Sequence, residues 1–349
     1  MIGFVAAACG GGDDTSAPDT PTDGPTTSKE APLSGTLNGS GATFPKAFYE
    51  VAVQDYKQVQ SGVTVNYEAV GSGAGRQKLQ DGVVDFAGSD APVAAADVPK
   101  YKGEFLYFPT VAAPITVSYN LRGVRDLKLD ADTTAKIFQR QITTWNDPAI
   151  AALNSGVNLP STAITVAHRS DGSGTTQNFT QYLVLAAPSV WTLKSGATVE
   201  WPADTQAGNG NAGVAQIVKS TAGGIGYVDL SDAKASGLQY AQIKNKAGKF
   251  VTPTVAGAEA ALAGTQLNPD LTYNPLNADG DAAYPITAPT WILAYKNQAD
   301  KNKGAALKSF LRYVVTEAQK DAADVDFAKL PPAVQAKALA HVENIVVPA

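Results

Sequence analysis

With 349 residues, 44% of them hydrophobic and 17% charged, the chain has globular composition and room for about two domains, which excludes a disordered or fibrous protein. One Cys (Cys9) and two His (His168 and His341) exclude a disulfide framework, a Cys-built zinc site and a multi-His metal centre, and no run of 18 apolar residues is available to cross a membrane as a helix. The net charge of −5 sits mostly in residues 10–34, where five acidic residues face Lys29 alone; the remaining 26 basic and 27 acidic side chains give a near-neutral body with no broad basic field, which disfavours nucleic acid as a partner.

In chain order, residues 1–9 (MIGFVAAAC) read as the end of a secretory apolar segment that closes on small residues before a Cys. This resembles the bacterial lipoprotein signal, in which the Cys becomes the lipidated first residue. Ala6 stands where Leu is usual and no Lys or Arg precedes the apolar stretch, so the export signal is incomplete. The resemblance implies export and a lipid anchor at Cys9. The alternative is a buried free Cys, but the residues that follow have little with which to bury it. Residues 10–34 hold 20 Gly, Pro, Ser, Thr or Asp among 25. Such a segment cannot offset its chain entropy and is expected to stay disordered, a tether spanning ~25–30 Å between a membrane surface and the body.

From residue 35 the pattern alternates. Strands are expected at 63–70, 84–89, 163–167, 226–230 and 291–295, with two apolar extended stretches within 105–120. Helices fit 45–58, a short stretch around 76–80, 148–154 behind Asp147, 176–187, 213–221, 303–320 and 332–342. Strands alternating with helices predict an α/β protein of two lobes, each a mostly parallel sheet flanked by helices.

Three glycine-rich turns lead into these helices: Gly39-Ser-Gly-Ala-Thr43-Phe44-Pro45, Gly71-Ser72-Gly73-Ala74-Gly75, and Arg169-Ser-Asp171-Gly172-Ser173-Gly174-Thr175-Thr176. Glycine lets backbone approach a ligand, unpaired first-turn N–H groups carry the positive end of the helix dipole, and Ser or Thr adds hydroxyls. Any one of these is most simply a turn; three of them make an anion site without a basic surface. Arg169 adds a planar cation suited to an oxyanion, or else pairs with Asp171 as a surface ion pair. Gly88-Ser89-Asp90-Ala91-Pro92 places Asp90 at a strand end, where α/β sheets bind ligands; from composition alone a turn or capping Asp is the simpler reading.

The segments GSGATFP (39–45), GSGAG (71–75), GSDAP (88–92) and RSDGSGTT (169–176) resemble those of the PstS-type phosphate-binding proteins of bacterial ABC phosphate transporters. So do ITTWNDPAIAALN (142–154), WPADTQAGNGNAGVAQ (201–216), GGIGYVDL (223–230) and YPITAPTWILAYK (284–296), all in one consistent order. The resemblance implies a type II periplasmic-binding-protein fold, with lobe 1 from 35–113 plus 284–349, lobe 2 from 114–283, and crossovers near 110–114 and 284–287. It implies phosphate held by Thr43, Phe44, Ser72, Asp90, Arg169, Ser173, Gly174 and Thr175, with Asp171 supporting Arg169 and His168 peripheral. It also implies no cofactor, no metal, no catalysis, a monomer, and delivery of phosphate to a membrane permease.

A carboxylate facing an anion makes chemical sense only for an anion that carries a proton. Asp90 accepts a P–O–H hydrogen, whereas sulfate offers none and would meet the carboxylate lone pair to lone pair. Arsenate keeps proton and shape, so this argument does not exclude it. Three other classes compete. A phosphatase needs a nucleophile, base or metal cage that the sequence does not offer. A phosphate sensor would use the same pocket, and a sulfate or molybdate binder is opposed by Asp90.

Overall fold

The structure is a computed structural model that describes residues 31–349. The anchor expected at Cys9 and the expected tether as far as Glu30 lie outside the described residues.

The chain begins β1 (Gly35–Gly41), α1 (Lys46–Val59), β2 (Val63–Ala69), α2 (Ser72–Asp81), β3 (Phe86–Ser89) and β4 (Phe105–Tyr119). It continues through β5 (Lys128–Leu129), α3 (Ala131–Phe138), α4 (Pro148–Leu153), β6 (Thr165–Arg169), α5 (Gly174–Ala186), β7 (Gln206–Gly208), α6 (Gly210–Ser220), β8 (Gly224–Asp229) and α7 (Leu230–Ala235). After β9 (Gln239–Tyr240), β10 (Gln242–Lys244), β11 (Phe250–Val251) and α8 (Val255–Leu262) come β12 (Thr287–Tyr295), α9 (Lys301–Val315) and α10 (Pro332–Val342).

The main sheet runs β2-β1-β3-β12-β4-β8-β6-β7, with β9 also paired to β4; β11-β10-β5 form a small second sheet. Both outer wings are parallel, β2-β1-β3 on one side and β8-β6-β7 on the other, as strand–helix alternation predicts. The centre is antiparallel, because β12 returns between β3 and β4, and β4 then pairs antiparallel with β8.

β4 unites the two halves. Its residues up to Pro114 pair with β12, and from Ile115 onward they pair with β8. The two extended stretches expected within 105–120 are therefore one strand of 15 residues. Pro109 and Pro114 punctuate the sequence without ending the strand; β12 breaks register opposite, between Pro289 and Trp291. The crossovers touch where Ile115 N–H donates to Ile286 O at 2.8 Å and the Tyr284 hydroxyl donates to Ile115 O at 2.9 Å.

Each wing is packed by aromatics under its helices. In α1 the buried Phe48, Tyr49, Ala52 and Tyr56 form one face, and Tyr56 meets Phe310 of α9 edge-on at 5.2 Å. In the other wing Phe179 of α5 stacks on Tyr227 of β8 at 4.4 Å and contacts Phe138 of α3 at 4.7 Å. These contacts fix the starts of α1 and α5. Helix α2 lies so close to β1 that a Cβ on Gly75 would stand 2.3 Å from Gly41 Cα and 2.5 Å from Ser40 O. Gly75→Ala is expected to lower stability by ~2–4 kcal/mol, read from the urea midpoint, because backbone rather than a mobile side chain must yield.

Candidate anion-binding site

β1, β2 and β3 end side by side, and their turns are joined backbone to backbone. Ala42 N–H donates to Gly88 O at 3.0 Å, while Val70 and Gly71 N–H donate to Gly41 O at 2.9 and 2.8 Å. Gly71 holds φ +98°, which lets the chain turn from β2 directly into α2 with Ser72 as its first residue. Arg76, one turn along α2, donates to Ser89 Oγ at 3.1 Å and to Ala91 O at 3.3 Å, clamping the turn that carries Asp90.

The second wing supplies α5 and the end of β6. Ser173 caps α5, its Oγ accepting from Thr176 N–H at 3.1 Å, which leaves its own hydroxyl proton free to donate. The wings meet at this point. Gly174 N–H donates to Ser72 Oγ at 3.2 Å, Gly73 N–H to Gly172 O at 2.8 Å, Asn178 Nδ2 to Asp90 O at 2.6 Å, and Asn211 N–H to Thr43 Oγ1 at 3.3 Å. The residues singled out from sequence are thus brought together. Phe44 is buried beside Thr43 with its ring edge-on to Phe327 at 5.8 Å, so only its backbone is available to a ligand. Thr175 Oγ1 is buried and has no hydrogen-bond partner among the described residues. A buried hydroxyl left so is destabilising unless something there accepts its proton.

Asp90 follows the end of β3, as a turn Asp would, but it is buried. It is 1% exposed, its Oδ1 accepts from Thr290 Oγ1 at 2.8 Å, and Ser72 Oγ lies 3.4 Å from Oδ2. Burial pushes its carboxyl up to about 7, helped by the charge of Asp229; the Thr290 and Ser72 hydroxyls and the Arg169 charge restrain the rise. A carboxyl raised in the folded state contributes stability that is complete below its unfolded value near 3.8 and is lost as pH rises through about 7. The anion-free Asp90→Asn variant is therefore expected to melt higher than wild type at pH 8, with a difference that narrows toward pH 4. Its ceiling is ~4 kcal/mol, and scanning calorimetry at both pH values checks it.

Arg169 is not a surface ion pair, since its side chain is 1% exposed. Nε donates to Asp171 Oδ1 at 2.8 Å, Nη2 donates to Asp171 Oδ2, and Nη1 donates to Asn211 Oδ1 at 2.6 Å. Two of the five guanidinium N–H groups remain. Burial works to raise the Asp171 carboxyl, but the hydrogen bonds and charge of Arg169 hold it below the usual carboxylate range. His168 is peripheral, as expected, stacked on Trp201 at 5.0 Å and bonded to Thr205 Oγ1 at 3.0 Å.

Thr290, Asn178, Asn211 and Asp229 were not singled out as site residues. Thr290 carried a signal, a hydroxyl in the apolar run of β12; the amides had only their place one turn along α5 and in the first turn of α6.

A two-lobed α/β fold with helix starts from both lobes meeting at a buried Arg and a buried Asp defines the solute-binding class. A family model described as a PBP superfamily domain matches residues 26–318. Relatives named phosphate-binding protein PstS include that of Pasteurella multocida, 37% identical over 85% of this chain and 86% of the relative. Another, from Methanocaldococcus jannaschii, is 38% identical over 83% and 81%, and PstS 2 of Mycobacterium tuberculosis is 35% identical over 98% and 95%. Among solved structures, a phosphate-binding protein from Stenotrophomonas maltophilia superposes with a TM-score of 0.70 at 20% identity, covering 88% of this chain and 94% of that one. The periplasmic phosphate-binding protein PfluDING superposes with a TM-score of 0.74 at 21% identity, covering 90% and 100%. The chain belongs to the PstS phosphate-binding protein family of the PBP superfamily.

Proposed function

We propose that the protein binds inorganic phosphate outside the cytoplasm and delivers it to the permease of an ABC transporter. The carrying observation is the buried Asp90 carboxyl set among hydroxyl and N–H donors from both lobes, an arrangement suited to an anion that brings its own proton. Thr43, Phe44 and Ser72 donate from one lobe and Arg169, Ser173, Gly174 and Thr175 from the other, while Asp90 accepts the P–O–H hydrogen and Asp171 holds Arg169. The names of the relatives describe binding proteins, and this reading likewise involves binding without catalysis and without a cofactor or metal.

The lobes in this reading are residues 35–113 plus 284–349, and 114–283. The change of partner along β4 between Pro114 and Ile115 supports that division. Phosphate docks on one lobe, the lobes close about the two crossovers, and the sealed form engages the permease. The chain acts as a monomer, exported and held to the membrane by lipid on Cys9.

Calorimetric titration of the anion-stripped chain with phosphate and then sulfate at pH 7 tests the reading. Tight one-to-one phosphate binding with no sulfate heat supports it. Equal binding of the two anions removes the role given to Asp90, and binding of neither removes phosphate as the ligand.

A further inference from the structure

Asn211 is fully buried and each of its polar groups, the carbonyl aside, has a distinct partner. Its Oδ1 accepts from Arg169 Nη1 at 2.6 Å, its Nδ2 donates to Asp229 Oδ2 at 2.7 Å, and its backbone N–H donates to Thr43 Oγ1 on the facing lobe at 3.3 Å. The amide has only one workable orientation, because a guanidinium only donates and a carboxylate only accepts. Asp229 therefore dictates which end of Asn211 faces Arg169.

Asp229 is itself fixed. It is fully buried at the end of β8, and its Oδ1 accepts from Asp232 N–H at 3.1 Å to cap α7. The neighbouring Asp232 carboxyl is pushed up to about 9, first by burial and then by the charge of Asp229. With Oδ1 engaged at the cap, Oδ2 is the oxygen that accepts from Asn211.

We propose that Asp229 and Asn211 are a positioning pair for Arg169, the carboxylate orienting the amide and the amide fixing the guanidinium edge that Asp171 does not hold. Asp171 grips Nε and Nη2, Asn211 grips Nη1, and the guanidinium plane is set between them. The two remaining N–H groups are then presented without rotational freedom, which lowers the entropy lost when an anion binds. This rests on the reading of Arg169 as a phosphate contact.

The test uses the full chain with arginine labelled in 15N, the Arg169→Lys variant assigning the Arg169 signals. In wild type the terminal guanidinium nitrogens of Arg169 are expected to give separate, slowly rotating resonances. In Asn211→Ala these should merge, and phosphate affinity should fall ~10- to 100-fold, the loss expected for one charge-assisted hydrogen bond. Asn211→Asp sets two carboxylates against each other and should do the same. The double variant Asn211→Asp/Asp229→Asn restores every bond with one reversed, because the amide now at 229 donates to the carboxylate now at 211. It should recover the separate resonances, and affinity should move back toward wild type. Unchanged Arg169 resonances in Asn211→Ala, or phosphate affinity within threefold of wild type, would overturn the proposal. If the Ala variant does not fold, absence of rescue in the double variant overturns it equally. Wild type that binds no phosphate overturns the phosphate reading instead, and the resonances still decide the positioning claim.

Discussion

Asp90→Asn is expected to cut the preference for phosphate over sulfate by ~10-fold or more at pH 8, where the anion-free carboxyl is ionised, and by less at pH 7. Sites built around one obligatory hydrogen bond reject the analogue lacking it by roughly 10⁴–10⁵. Here the geometry enforces that dependence. Asp90 is buried against Thr290 and Ser72, so an incoming anion meets it with no water to mediate. In the proposed complex, phosphate and Asp90 share a proton that phosphate brings. Sulfate brings none, so its binding must take a proton from solvent onto Asp90. Wild-type sulfate affinity should therefore fall by up to ~10-fold per pH unit above about pH 7, where the anion-free carboxyl is ionised, and level off below it. Phosphate affinity should stay nearly level across the same range. The Asn amide can donate to sulfate at any pH, so the slope should vanish in the variant. Parallel titrations of both proteins at pH 5.5, 7 and 8 measure this. A sulfate affinity in wild type that ignores pH would contradict it, as would a variant that still rejects sulfate.

Gly174→Ala should weaken phosphate binding by ~100-fold or more, by obstructing the closed form rather than the contacts to the anion. A Cβ on Gly174 would stand 2.6 Å from both Asp90 Cβ and Ser72 Oγ and 2.8 Å from Asp90 Oδ2, all on the opposite lobe. Buried groups in one packed turn have little room to retreat. The substitution opens a helix, where Ala is well tolerated, so each lobe should fold normally. Only the population of the closed state suffers, and apparent affinity falls with that population. Gly264→Ala is the internal control, since a Cβ there would meet nothing within 4 Å. Small-angle scattering should show wild type and the Gly264 variant contracting on addition of phosphate while the Gly174 variant does not. Contraction of the Gly174 variant with unchanged affinity would refute the steric account.

Strand–helix alternation was legible from residue patterns in most of the longer elements with an apolar face. Helix α1 was expected at 45–58 and spans Lys46–Val59, and α10 was expected at 332–342 and spans Pro332–Val342. β1 was missed because GTLNGSG has a single apolar side chain; its neighbours need glycine there, and a Cβ on Gly39 would stand 2.2 Å from the Phe86 ring. Helices α7 and α8 were missed as short segments rich in small residues, and α3 was missed although Ile137 and Phe138 give it a buried apolar end. The helix expected at 303–320 stops at Val315 and continues as a 3₁₀ turn over Glu317–Asp321.

At the site, the glycine-rich turns were readable because their chemistry is local: glycine, hydroxyl and helix start fall within a few consecutive residues. Asp90 depended on family resemblance, since nothing in GSDAP reveals that Thr290, 200 residues away, will share its burial. Asn211 and Asp229 were invisible for the same reason. Each becomes informative only when β6, α6 and β8 are assembled.

The single strand running through both lobes has a mechanical consequence. β4 changes partner between Pro114 and Ile115, and Pro114 has no N–H to contribute to a ladder. Flexing at that residue therefore strips no donor from a partner, whereas an ordinary residue in a central strand would have to sever one hydrogen bond at every swing. Pro114 thus removes one bond from the joint, and any parting of the wings is opposed mainly at the site, by the hydrogen bonds that Gly73, Gly174, Asn178 and Asn211 donate across it.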